Sequence, residues 1–168
     1  YQTTLPSTGE TINYRPFLVK EQKIIMMAEE SQDDNQMIQA VVDLVGSCTF
    51  NKIDLSRSPT FDVEYLFLKV RGKSVGETMN INVICPDDEI TTTQVQVKVD
   101  DIKVDMLEGH TNILQITDSI KMYLRYPSLS DVGNFKNLET TDGIFQILYK
   151  CIEQIEYGDD VYHRIDIT

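Results

Sequence analysis

The sequence predicts an α+β protein: an N-terminal β-hairpin, a three-helix cluster around a central helix, an antiparallel sheet and a C-terminal amphipathic helix. Three observations carry that expectation. Apolar residues recur at helical spacing as far as Gly72, they alternate with polar residues from Met79 onward, and the helical period returns after Thr140. With 168 residues and no spacer rich in Pro, Gly or Ser, the chain is read as a single domain over 1–168. Within it the hairpin takes 2–17, the helical part 18–72, the β part 77–126 and the last helix 140–157.

Gln2–Leu5 and Thr11–Phe17 flank Pro6-Ser7-Thr8-Gly9, a turn in which Pro sets φ and Gly permits a positive one. Pro16 pushes Arg15 out of the helical region, so Arg15-Pro16-Phe17 is extended and a helix begins near Lys20. Ile24, Ile25, Met27 and Ala28 form its expected apolar face. The polar break Ser31–Asn35 supplies the next cap, and Met37, Ile38, Val41, Val42 and Val45 follow at helical spacing to Gly46. Cys48–Arg57 is a connector anchored by Ile53 and Leu55.

Phe61–Glu77, FDVEYLFLKVRGKSVGE, is the central helix, entered through Ser58-Pro59-Thr60. Phe61, Tyr65 and Leu68 form one apolar stripe, and Val63, Leu66, Phe67 and Val70 form another on the opposite side. Asp62 with Lys69, and Glu64 with Arg71, divide the stripes and are expected to emerge at exposed seams. Gly72, Val75 and Gly76 end the pattern.

Met79, Ile81 and Val83 then line one side of a strand, and Val95, Val97 and Val99 one side of the next, with Pro86-Asp87-Asp88-Glu89 as the hairpin tip. Val99–Met106 extends the second strand or turns a corner at Asp100-Asp101. Ile113–Ile116 and Ile120–Arg125 supply a further strand or two, and Pro127–Asn137 is loop. Thr140–Asp142 caps a final helix whose Ile144, Phe145, Leu148, Cys151, Ile152 and Ile155 form the cleanest amphipathic stripe, ending near Gly158. No internal repeat is visible.

Composition narrows function by exclusion. Lys plus Arg number 15 against 27 for Asp plus Glu, a formal charge of −12, so the broad basic footprint that phosphate backbones require is missing and nucleic acid is not an expected partner. The longest near-apolar run, Ile24–Ala28, is far below a bilayer span, and no basic flank leads into an apolar signal core. Neither a membrane nor a secreted chain is predicted. Cys48, Cys85 and Cys151 are widely spaced and suit reduced thiols. The chain opens at Tyr1 and stops within the alternating Arg164–Thr168, and it is read as cut inside a longer one.

Catalytic and metal signatures are missing. His110 and His163 have no Cys, Asp or Glu partner at a metal or triad spacing, and no phosphate-binding, nucleophile-elbow or zinc-protease motif occurs. The acids at Asp87–Glu89, Asp100-Asp101 and Asp159-Asp160 read as solvated turn residues. Cys85-Pro86-Asp87-Asp88 has an Asp where a zinc knuckle keeps its second Cys. No enzyme, cofactor, metal site or catalytic residue is therefore predicted.

LPSTGETINYRPFLVKEQKIIMMA (Leu5 to Ala28) and FDVEYLFLKVRGKSVGE (Phe61 to Glu77) resemble the two signature blocks of the baseplate hub assembly protein family of T4-like tailed bacteriophages. The match rests on Arg15, Pro16, Phe17, Glu21 and Lys23 in the first block, and on Asp62, Glu64, Tyr65, Leu66, Arg71 and Ser74 in the second. Some members of that family carry a CPxC pair in the following hairpin, where Asp88 stands here, and members run further than Thr168. The resemblance implies a chaperone-like assembly factor or structural subunit of a contractile-tail baseplate hub. Its partners are then other phage baseplate hub proteins, met in the host cytoplasm during assembly and in the virion. Candidate partner-binding residues are Arg15, Pro16, Phe17, Glu21, Glu64 and Arg71. For Arg15 the alternative is an internal clamp, tied to Glu64 or Glu21. Two other functions remain open: a metal-dependent enzyme whose ligands assemble only in space, and a generic peptide-binding module using an open sheet edge.

Overall fold

A computed structural model of the chain describes residues 1–132 and 140–164. It is α+β, with five helices and only antiparallel strand pairs among those residues. The residues fall into two compact units, Tyr1–Asp54 with Phe61–Val104, and Leu55–Thr60 with Asp105–Thr168.

The first unit opens with the hairpin of β1 (Gln2–Thr4) and β2 (Thr11–Asn13), paired Thr3 to Ile12 across the expected turn. Leu5, Ile12 and Tyr14 are buried, so the inward set of this short hairpin is apolar. α1 (Val19–Ser31) and α2 (Asp34–Cys48) follow, with the Asp33 carboxylate accepting from the Asn35 and Gln36 N–H groups as the cap. Their buried sides are narrower than the sequence pattern suggests. Ala28 is buried on α1 while Ile24, Met26 and Met27 are exposed, and α2 buries Ala40, Leu44, Val45 and Cys48.

α3 (Thr60–Val75) carries the fully buried Val63, Leu66 and Val70, with Phe61, Tyr65 and Leu68 half-buried on the other stripe. The expectation of an exposed seam at Asp62 is overturned. Asp62 is 2% exposed, and its carboxylate accepts hydrogen bonds from the Ser7 N–H (3.1 Å) and the Ser7 hydroxyl. The hairpin turn therefore closes over the first turn of α3, where a carboxylate also complements the helix dipole. Lys69 pairs with Asp100 at 2.9 Å. Gly72 is buried, and a methyl group there would lie 3.2 Å from Cγ1 of Val99, so the absence of a side chain at Gly72 lets that buried valine sit against the helix.

β3 (Thr78–Ile84) and β4 (Thr92–Lys98) form a two-stranded ribbon in unbroken register. Val99 leaves the strand for a 3₁₀ turn at Val99–Asp101, which is the corner outcome of the two expected for that segment.

In the second unit, β5 (Ile113–Thr117), β6 (Ile120–Leu124), β7 (Ile152–Tyr157) and β8 (Asp160–His163) make a four-stranded sheet in that spatial order. Leu114, Met122, Ile155 and Tyr162 stand in one cross-strand row. A short helix, α4 (Leu129–Val132), occupies part of what reads as loop, and the rest of that stretch, 133–137, lies outside the described residues, as does the alternation at 165–168. α5 runs over Thr141–Cys151, with the Thr140 hydroxyl accepting from the Gly143 N–H. The last helix does not reach Gly158. Ile152 and Ile155 belong to β7, because the four-stranded sheet claims them, Ile152 through Leu124 of β6 and Ile155 through Met122 of β6 and Tyr162 of β8.

Candidate partner-binding site

Pro16 fixes the backbone before it, and Arg15 leaves β2 extended with its N–H donating to the Cys48 carbonyl at 3.0 Å. From there the guanidinium meets Glu21 as a fork on a fork, Nη1 to Oε2 at 3.0 Å and Nη2 to Oε1 at 2.7 Å. The same guanidinium donates to the Ser47 hydroxyl (2.8 Å) and to the Pro16 carbonyl (2.9 Å). Glu21 is 5% exposed and also accepts from the Ser47 hydroxyl at 2.8 Å and the Leu18 N–H at 2.6 Å. The last contact is half of a capping box: the third helical residue reaches back to the cap N–H of α1, while Leu18 has no side-chain acceptor to return the bond.

Electrostatics follow the geometry. The Arg15 guanidinium, aided by Leu18 and Ser47 against the opposing effect of burial, lowers the Glu21 pKa to about 2. Arg15 is itself held above its ordinary value, first by that hydrogen bond. Burial pushes the Cys48 thiol up to about 11, which leaves it a protonated, inert packing group.

Of the other candidates, Phe17 is half-buried and its N–H donates to the Ser74 hydroxyl at 2.9 Å, which in turn donates to the Val70 carbonyl at 2.6 Å. Pro16 is half-buried and Glu64 exposed on α3. Arg71 is half-buried, with Nη1 enclosed and without a hydrogen-bond partner among the described residues. Arg15, Glu21 and the Phe17 backbone are thus drawn into one internal junction of linker and helices, while among the described residues Glu64 and Arg71 form no salt bridge. At the junction a cleft of about 180 Å³ is lined by Ile24, Ala40 and Leu44 together with Lys20, Asp43 and the junction's own Glu21 and Ser47. Small-molecule sites run to roughly 300–1,000 Å³, so the cleft has the size for one side chain.

The second unit repeats the junction. Arg125 leaves β6, donates its N–H to the Cys151 carbonyl at 2.8 Å, and forks onto Asp131, six residues on as Glu21 is from Arg15, at 2.6 and 3.1 Å. Its guanidinium also donates to the next residue's carbonyl, Tyr126, and to the Lys150 carbonyl, both at 2.9 Å. Asp131 accepts from the Ser128 N–H and hydroxyl, as Glu21 does from Leu18 and Ser47. Burial opposes its ionisation, yet Arg125 and Ser128 together hold it well below the usual carboxylate range. The two junctions share an arginine after a strand, a nearby proline, a carboxylate six residues on and a buried cysteine closing a helix. Those few positions are too sparse to show as a repeat in the sequence.

Among the described residues no group of three or more His, Cys, Asp or Glu is placed to hold a metal, and no helix is long and apolar enough to cross a membrane. Asp88, at the second position of the knuckle-like Cys85–Asp88 stretch, is committed to the turn, accepting from the Ile90 and Thr91 N–H groups and the Thr91 hydroxyl. The model of one protein family, described as T4 bacteriophage base plate protein, matches residues 1–168. Neither a curated protein nor a solved structure matches the chain.

Proposed function

Since the chain belongs to the T4 bacteriophage base plate protein family, we propose that it helps to build the baseplate hub, as an assembly factor or a subunit, by binding other hub proteins and without catalysing a reaction. The observation that supports this is the outward face of α5. Ile144, Phe145, Leu148 and Tyr149 fall on one side of that helix, and all are exposed, Phe145 by 65%. A soluble surface seldom leaves such a cluster bare without a partner to cover it. The bidentate pairing of Arg15 with the buried Glu21 favours the internal clamp for those two residues, so this reading looks to other surfaces for recognition.

Co-expression of the tagged chain with the phage's own hub proteins tests the proposal. At least one hub protein is expected to co-purify with the wild type and to be lost from a Phe145→Asp, Leu148→Asp variant that melts like the wild type. Failure of every hub protein to be retained by the folded wild type would refute it.

A further inference from the structure

Among the described residues the β3–β4 ribbon has two unpaired outer edges and one apolar face. Met79, Ile81 and Val83 stand on that face with Val97 and Val95 across the ladder, and Ile81, Val83 and Val95 are 44%, 41% and 41% exposed. The opposite face carries Asn80, Asn82, Gln94 and Gln96, with Ile84 beside the tip as its one large apolar residue. A free edge presents a row of N–H and C=O groups whose natural complement is another strand, and a lone two-stranded ribbon is marginal in water. Proteins commonly blunt such edges with charge, proline or a bulge. Little of this is used here: β3 has no charged residue, β4 has a single one, Lys98 at its end, neither contains proline, and the register is unbroken from Thr78↔Lys98 to Ile84↔Thr92. By contrast, the β5–β6 and β6–β7 ladders are both irregular.

We propose that the ribbon is a strand-addition site for an extended segment of a partner protein, one with apolar residues at alternate positions and a cationic end. The inference rests on the reading that the chain works by binding other proteins, and it names a surface and a kind of partner. Main-chain pairing supplies the affinity, and the alternate apolar residues widen the Met79–Val83 face. The cationic end is set by the ribbon's tip. Asp88 is occupied in the turn, but Asp87 and Glu89 beside it form no ion pair among the described residues, so they are available to a partner. A second copy of this chain is disfavoured as the occupant, because each copy carries a formal −12.

Fluorescence anisotropy with labelled peptides of about ten residues, long enough to cover one strand, tests this. The first probe alternates valine and threonine and ends in two lysines, the second ends in two glutamates instead, and the third interrupts the lysine probe with proline. Saturable binding of the lysine probe is expected, weaker by roughly tenfold for the glutamate probe at low salt and lost for the proline probe. Ile81→Lys with Val95→Lys should abolish binding with the melting temperature kept. If that variant does not fold, Asp87→Lys with Glu89→Asn serves, asparagine being tolerant of the positive φ at position 89, and it should reverse the preference between the charged probes. No saturable binding, equal binding of the proline probe, or dimers held through the ribbon in sedimentation would overturn the proposal. The peptides report on the ribbon alone, so such a failure leaves hub binding standing, and failed co-purification of hub proteins leaves strand addition standing.

Discussion

Glu21 is a carboxylate held almost out of water, and a charge so placed is stable only while its donors stay in position. Its pKa falls from an ordinary 4.5 to about 2 on folding, a difference worth about 3 kcal/mol. Because the folded value is the lower one, that stability is present above about pH 4.5 and is lost as the pH falls towards 2. Urea midpoints should therefore drop between pH 5 and pH 3, and Glu21→Gln should remove a large part of that drop; Asp131, lowered in the same direction, accounts for a further part. Arg15→Ala should cost about 3 kcal/mol at pH 7, since it strands Glu21, and an unchanged midpoint would show that the junction is dispensable. Asp62→Ala, which orphans the Ser7 N–H and hydroxyl, should cost about 1–3 kcal/mol. Sequence pattern alone assigns Asp62 to a surface seam, because helical periodicity places a side chain on a face but cannot see a turn from 55 residues away closing over it. The Arg15 fork was legible as one of two options, since proline extends the backbone and a guanidinium in an acidic chain has carboxylates to choose from.

Among the elements, the N-terminal hairpin, the first three helices and the β3–β4 ribbon were readable because each carries its own turn, cap or period. The apolar pattern overruns the end of α5 for a reason that is not local. Its Lys150 and Cys151 carbonyls accept from Arg125, so the helix is capped from a distant strand rather than by a glycine or proline of its own, and the apolar spacing runs on into β7 undisturbed. The same capping of Cys48 by Arg15 is what makes the repeat visible in three dimensions only. At the α3–Val99 contact two element-scale effects oppose each other. Alanine at position 72 gains about 1 kcal/mol of helix propensity, but its methyl would press on Val99, which is stiff and 2% exposed. A double-mutant cycle separates them: Gly72→Ala should gain no stability in the wild type and about 1 kcal/mol in a Val99→Ala background. Equal effects in both backgrounds would mean that the close approach carries no cost.

For the whole molecule, the two compact units are joined by three peptide bonds, at 54–55, 60–61 and 104–105, because Leu55–Thr60 belongs to the second unit while the chain on either side of it belongs to the first. That interleaving supports the proposal of one cooperative domain, for which calorimetry should give a single transition with calorimetric and van't Hoff enthalpies equal. Two resolved transitions would contradict it. Membership of the base plate protein family was legible only through the signature blocks, since an acidic chain without a catalytic motif fits many roles, and the exposed α5 face is a property of packing that amphipathic spacing alone reads as core. The most direct measurement of the proposed role is baseplate assembly by phage whose copy of this chain is interrupted. Electron micrographs of lysates should show no completed baseplates, with assembly restored when the intact chain is supplied in trans; completed baseplates in normal number without it would contradict a part for this protein in building the hub.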